Sequence, residues 1–258
     1  MKSIKHKSAK ASHYDKESES YDAFNENNSI VINKTIESIL KKNKIKSVLD
    51  LSCGTGLQVF FLAEHGYDVT GCDINAKMLN IAKDKVKNKK SKIKFIEGDM
   101  RTSKVGTFDA VITIFNAIGH LTKKDFSKAI KNIGKNLKEG GLYIFDIFNL
   151  DYLLEDDNIT KLTIDWKKTV GHVTYREIQY SSINSEGVLA SFDIYIEQKL
   201  NEKPQLSKAS QTLQVYSAQE LKNMLDESGF KIMHQCGVDG SRFNASKSER
   251  ILTVARKH

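Results

Sequence analysis

Val48-Leu49-Asp50-Leu51-Ser52-Cys53-Gly54-Thr55-Gly56 is an apolar run closed by an acid and a glycine-bearing turn, and Asp73 follows 17 residues after Gly56. The region reads as a strand (Ile45–Leu51), a tight turn, a helix (Leu57–His65), a second strand (Tyr67–Cys72) and an acidic stop. Gly54 and Gly56 let the backbone bend sharply and approach a ligand at the helix N-terminus. A carboxylate placed as Asp73 is can accept both hydroxyls of a ribose, which makes the unit a nucleoside-binding half-fold. The dinucleotide form of the turn fits poorly: counted from Gly54, the third glycine of G-x-G-x-x-G falls on Val59, and counted from Ser52 the first is missing. Asp50, just ahead of the turn, would repel a diphosphate and suit a ligand carrying positive charge.

Outward from this unit, strands at Ile93–Glu97, Ala110–Phe115 and Leu142–Phe148 alternate with helices near 76–87 and 124–138, the last closed by Glu139-Gly140-Gly141. Such alternation predicts a parallel sheet with right-handed crossovers. The period then changes to two, over Lys161–Trp166, His172–Tyr180, Ser191–Gln198 and Thr212–Tyr216, which predicts antiparallel strands. Ser217-Ala218-Gln219-Glu220 is a capping-box start for a helix to about Ser228, and Gly229–Met233 and Arg250–Ala255 supply two closing strands. The expected fold class is α/β: a Rossmann-like, doubly wound, mostly parallel seven-stranded sheet with an antiparallel last strand and a small antiparallel β lid inserted after strand 5. Residues 29–150 and 217–258 form the parent domain in this reading, 151–216 the lid, and the polar residues 1–28 a mobile lead-in ahead of a helical stripe over Ser29–Asn43.

With 258 residues and 40% hydrophobic content the chain can bury one sizeable core and a smaller appended element. Cys53, Cys72 and Cys236 have no C-x-x-C or His-paired spacing, which points to a reducing, cytoplasmic setting and no metal. The longest apolar run near the start, Val59–Ala63, is too short for a signal core or a membrane span. The net charge of +8 permits a nucleic-acid partner. The lysines, however, are spread over helix faces without interleaved aromatics, so a solvated surface is the better reading.

The turn Asp50-Leu51-Ser52-Cys53-Gly54-Thr55-Gly56 resembles the first motif of the class I S-adenosylmethionine-dependent methyltransferases, with a serine at its first glycine. Asp73-Ile74-Asn75 with its helical continuation resembles the second motif, Glu97-Gly98-Asp99-Met100 the third, and Phe108–Asn116 the fourth. The likeness covers roughly residues 45–149, and Asn116-Ala117-Ile118-Gly119-His120-Leu121 is similar to a stretch of the glycine and amino-sugar N-methyltransferases. It implies S-adenosyl-L-methionine as cofactor, with S-adenosyl-L-homocysteine as product. The Gly turn (Asp50, Ser52, Gly54, Gly56) would then face the amino-acid end and Asp73 the ribose. Asp99 would accept from the adenine amine, Ile74 and Met100 would sandwich the ring, and Met78 and Phe115 would complete the set.

Methyl transfer from a sulfonium needs mainly an aligned acceptor and a place for its proton. The expected function is transfer to a small-molecule acceptor, an amine by resemblance. An O-methyltransferase, a nucleic-acid or protein methyltransferase and a non-catalytic nucleoside binder stay open, although the Pro-Pro motif of base-amino enzymes is absent because Pro204 is the sole proline. Asn116 and His120, just past strand four, are the catalytic candidates. His120 either meets the acceptor or caps the following helix. Tyr14 and Tyr21 either close over the site from the lead-in or belong to an arm without contact. Tyr175 and Arg176 fall on opposite faces of a lid strand, so at most one points inward. The chain could act as monomer or dimer.

Overall fold

β1 (Ser47–Asp50) lies between β2 (Asp68–Asp73) and β4 (Phe108–Thr113), parallel to both, in a computed structural model that describes residues 5–15, 18, 21–89 and 93–258. β3 (Lys94–Glu97) adds in parallel to β2, and β5 (Leu137–Phe148) to β4. β11 (Arg250–Lys257) runs antiparallel to β5, and β10 (Phe230–Cys236) antiparallel to β11. The sheet order is therefore β10-β11-β5-β4-β1-β2-β3, the expected doubly wound arrangement.

Alternation along the central strands feeds two cores. Val48, Leu142 and Ile144 pack with α1 (Tyr21–Lys42), α2 (Leu57–Glu64) and α3 (Ala76–Lys89), through Ile32, Ile36, Leu40, Val59, Leu62 and Leu79. Leu49, Tyr143 and Phe145 face the other way, onto α4 (Lys123–Lys135) and α6 (Ala218–Asp226). On α4 the buried residues Phe126, Ala129, Ile130 and Ile133 follow the helical period, and each large side chain so buried contributes about 1.5–3 kcal/mol. The capping box of α6 forms in both directions between Ser217 and Glu220.

Two boundaries differ from the sequence reading. Helix α4 stops at Lys135, and Leu137 already pairs with Phe108, so Glu139-Gly140-Gly141 lies within β5, where Gly140 has φ 72°. The stop comes from Asn136, whose Oδ1 accepts from Val105 N (2.7 Å) and whose Nδ2 donates to Ser103 O (3.0 Å), tying the helix end to the loop before β4. Helix α1 begins at Tyr21 rather than at Ser29, so a domain boundary at residue 28 would cut it. Asp22 in its first turn accepts from Thr55 Oγ1 and Lys85 Nζ, an anchorage that leaves no apolar period to read.

The second sheet, β6 (Ile164–Val170), β7 (Val173–Ile183), β8 (Val188–Lys199) and β9 (Gln205–Gln214), is antiparallel throughout, in sequence order. It is fixed at its base, where Leu189 and Val215 pack on Leu150 and Leu153 of α5 (Leu150–Leu154). β9 starts at Gln205 rather than at Thr212. Its first half is polar and exposed, and ladder pairing with β8 holds it instead of apolar patterning. Among the described residues, no helix is long and apolar enough to cross a membrane.

Candidate active site

β1 carries Asp50 to the edge of the sheet and buries it, with Oδ1 accepting from Ser52 N at 3.2 Å. Its Oδ2 and the Ser52 Oγ are buried without a partner among the described residues. Burial, opposed by the Ser52 N–H and reinforced by the charge of Asp73, pushes the Asp50 carboxyl up to about 8. The turn that follows is left-handed at Gly54 (φ 53°) and Gly56 (φ 91°), and a Cβ on Gly56 would stand 2.8 Å from the Phe60 ring. Gly54 N donates to Asp73 Oδ2 and Asn75 N to Asp73 Oδ1, both at 2.8 Å, so the turn and the acid ending β2 are locked together. Burial raises Asp73 against these N–H bonds.

Ser52, Gly54, Asp73, Ile74, Met78, Asp99, Met100, Phe115, His120, Tyr14 and Tyr21 all line one cleft, about 790 Å³ including its mouth. Asp50, Gly56 and Asn116 do not line it. Burial, with the charges of Asp73, Asp50, Asp22 and Asp146, raises the Tyr21 phenol well above its ordinary range, so it stays protonated.

Residues of the lead-in cross the mouth as a strap. Ala9 N donates to His120 O (2.8 Å), Ser8 Oγ to Asp125 Oδ2 (2.6 Å), and Asn75 Nδ2 to Ala11 O (2.7 Å) on the far side. The strap brings the Tyr14 hydroxyl to 2.6 Å from His120 Nε2. Burial, then the neighbouring His13 and His6, lower His120 to about 3, so its ring is neutral at physiological pH. The His120 Nδ1 is buried without a partner among the described residues.

Past β4 the chain turns through Phe115 (φ 61°) and Asn116 (φ 57°), left-handed positions taken by residues other than glycine. Asp146 Oδ1 accepts from Phe115 N (2.7 Å), Asn116 Oδ1 accepts from Phe148 N (3.0 Å), and Arg250 pairs with the buried Asp146 while lying 5.8 Å from the Phe115 ring. The side-chain oxygen of Asn116 is thereby bound to backbone. No residue of 151–216 lines the cleft, and Arg176 is paired with Asp165 across the small sheet.

Several lining residues escaped the sequence reading. Asn75 caps α3 through Met78 N (2.9 Å), and its place just before a helix was the signal that could have found it. Arg101 forks onto Asp99, two residues before it, with Nε 2.9 Å from both carboxylate oxygens. His13 has no signal in a polar lead-in.

These residues fit S-adenosylmethionine. Ser52, whose buried hydroxyl has no partner among the described residues, lines one cleft with Gly54, the two carboxylates Asp73 and Asp99, and the apolar side chains of Ile74, Met78, Met100 and Phe115. A methyltransferase-domain family matches residues 48–141. The chain is 30% identical over 224 residues, 81% of its length and 83% of the other's, to a Bacillus subtilis (strain 168) protein named "Putative methyltransferase YqeM". It is 34% identical over 133 residues to human glycine N-methyltransferase, across 45% of each chain. Its fold is shared with a methyltransferase of Clostridium acetobutylicum ATCC 824 (TM-score 0.73, 18% identity, 95% of this chain and 98% of that one). A sugar N-methyltransferase of Streptoalloteichus sp. ATCC 53650 shares it too (TM-score 0.71, 18% identity, 92% and 93%). With this sheet, this turn and these relatives, the chain belongs to the class I S-adenosylmethionine-dependent methyltransferases.

Proposed function

We propose that the protein methylates a small-molecule amine, with Asp50, Ser52, Gly54 and Gly56 around the amino-acid end of the cofactor and Asp73 at its ribose. Asp99 takes the adenine amine in this reading, and Ile74, Met78, Met100 and Phe115 make the apolar walls. The bound cofactor supplies the activated methyl group. The observation that carries the acceptor side is the strap: Tyr14 and His120, 2.6 Å apart, meet beside a mouth that the strap crosses through the bonds of Ala9 and Ser8. A mouth so covered suits a small acceptor, and the names of the glycine and sugar N-methyltransferase relatives support an amine.

His120 stays neutral and is too weak a base to strip an ammonium. It therefore orients: with one ring nitrogen held by Tyr14, the other can bond the acceptor's polar group. The acceptor must react as the free amine, because a protonated amine has no lone pair to take the methyl group. The test is a panel of amines, amino acids, amino sugars and phenols with labelled cofactor. An amine substrate should show kcat/KM rising with pH along the acceptor's own titration, and His120→Ala should lower kcat with little change in cofactor affinity. Turnover of phenols alone, or an unchanged kcat in His120→Ala, would sink the reading.

A further inference from the structure

We propose that Arg101 is a positioning residue that couples recognition of the adenine edge by Asp99 to the seating of the strap over the cleft. The inference rests on the assignment of Asp99 to the adenine amine. It starts from an unusual sharing of donors: the Arg101 guanidinium spans two carboxylates on different elements. Its Nε and Nη2 fork onto Asp99, the Nη2 contact being 2.5 Å, while Nη1 reaches Asp125 Oδ2 on α4 at 3.1 Å. The same Asp125 Oδ2 accepts from Ser8 Oγ of the strap at 2.6 Å, and Ser8 Oγ in turn accepts from Thr122 N at 3.0 Å.

Asp99, Arg101, Asp125 and Ser8 thus form one continuous chain from the adenine end of the cleft to the strap. The strap residue next to Ser8, Ala9, donates to the carbonyl of His120, and the strap goes on to bring Tyr14 onto the His120 ring. A guanidinium is a planar, rigid fork, so it cannot turn toward one carboxylate without changing its bonds to the other. An ammonium in its place would lack that rigidity.

The electrostatics set the sign. Burial works against a charge on Asp99, but the Arg101 hydrogen bonds and charge outweigh it and hold the carboxyl below its ordinary range. An ionised carboxylate only accepts, so it favours a 6-amino purine over a 6-oxo purine. The fork keeps Asp99 ionised and oriented toward a ligand amine, and its rigid plane fixes Asp125 where Oδ2 accepts from Ser8 Oγ. A ligand amine that orders Asp99 therefore orders the fork, Asp125 and Ser8 with it. Adenine recognition and strap closure therefore favour each other, and coupling of this kind is reciprocal: whatever loosens the strap must weaken ligand binding by the same factor.

The experiment compares S-adenosylhomocysteine with its 6-oxo (inosyl) counterpart by calorimetric titration, with hydrogen exchange over residues 5–15 with and without ligand. The native protein should favour the amino form by at least about tenfold, the worth of one charge-assisted hydrogen bond, and should show ligand-dependent protection of residues 5–15. Arg101→Gln should lose most of both. Arg101→Lys, which keeps the charge without the fork, should keep part of the preference and lose the protection. Ser8→Ala touches no ligand and should weaken the amino ligand more than its 6-oxo counterpart, shrinking the preference. Unchanged preference and protection in Arg101→Gln, or an unchanged preference in Ser8→Ala, would overturn the coupling. Should Arg101→Gln not fold, the Arg101→Lys and Ser8→Ala arms decide. A native preference that survives in Asp99→Ala removes the adenine assignment itself. A preference lost in Asp99→Ala but kept, with protection, in Arg101→Gln removes the coupling alone.

Discussion

Two turns at the same edge of the sheet reach left-handed backbone in opposite ways. After β1 the positive φ angles fall on Gly54 and Gly56, which adopt them without steric cost, and the polar groups beside them, Asp50 Oδ2 and Ser52 Oγ, have no partner among the described residues. After β4 they fall on Phe115 and Asn116, where each costs about 1–2 kcal/mol, and the neighbouring polar groups are bonded: Asp146 to Phe115 N, Asn116 to Phe148 N, Arg250 to Asp146. One turn carries no strain, and its polar atoms are those given to the cofactor in the proposed function. The other is strained and is held by its own side chains, so that Phe115 and the segment leading to His120 stand at the cleft wall in one conformation.

The largest effect should come from cutting the support of the β4 turn. Asp146→Ala leaves the Arg250 charge and Phe115 N without their partner at a buried position, and loss of one member of such a pair costs about 3–5 kcal/mol. Urea unfolding measures it. A loss below about 1 kcal/mol would mean that the turn is held by packing rather than by the acid, and the contrast between the two turns would collapse.

On the β1 side the corresponding change acts on ligand binding. Asp73→Ala removes the partner of Gly54 N and the proposed acceptor of the ribose hydroxyls, so adenosylhomocysteine affinity should fall at least about tenfold, at about 1.5–3 kcal/mol per charge-assisted bond. Calorimetric titration reads this directly. An unchanged dissociation constant would show that the glycine turn is structural.

The same contrast explains what could be read in advance. The β1 turn was legible because its conformation is written in residue types: glycine where φ is positive, an acid before it and another after β2. The seven-stranded sheet followed from alternating periods. The β4 turn was legible as a place but not as a conformation, because Phe115 and Asn116 carry no local mark of left-handed backbone and what holds them, Asp146 and Arg250, comes from distant strands. Arg101 and Asn75 adjoin motif residues, yet their partners Asp125 and Ala11 are remote in sequence. The start of α1 depends on Asp22 meeting Thr55 and Lys85, and the first half of β9 on ladder pairing. Such contacts leave no period to detect. The small sheet was legible as strands, but its absence from the cleft wall was not, since alternation fixes faces and not the direction in which a sheet leans.

The unsatisfied Asp50 gives a pH test of the β1 turn. In the folded protein its carboxyl is pushed up to about 8 from an ordinary 3.8, so between those values the folded state holds a proton that the unfolded state has lost. Stability of the free protein from this group is therefore fully present below about pH 4 and lost as the pH rises toward 8. Asp50→Asn should flatten that decline, gaining thermal stability over the native protein most near pH 8 and least near pH 4, and should bind the cationic cofactor more weakly. Parallel melting curves for the two proteins across this range would show that Asp50 is satisfied in a way the turn does not reveal.

The smallest effect isolates the strain itself. At Asn116 two terms act in opposite senses: the left-handed conformation is costly for residues other than glycine, though less so for asparagine than for alanine, and the side-chain oxygen accepts from Phe148 N at 3.0 Å. Asn116→Ala adds to the first and loses the second, so it should destabilise by about 1–2 kcal/mol. Asn116→Gly loses the same hydrogen bond but relieves the conformation, which offsets about 1 kcal/mol of the loss. The glycine variant should therefore be more stable than the alanine variant by about 1 kcal/mol in urea unfolding, the reverse of the order seen where backbone is helical or extended. It should also have the lower kcat, because a turn free to leave the left-handed region no longer fixes the segment from Phe115 to His120. If the two variants are equally stable, position 116 is unstrained. If the glycine variant is the more stable and turns over at the native rate, the strain is real but has no part in presenting His120, and the second turn is then as passive toward catalysis as a glycine turn would have been.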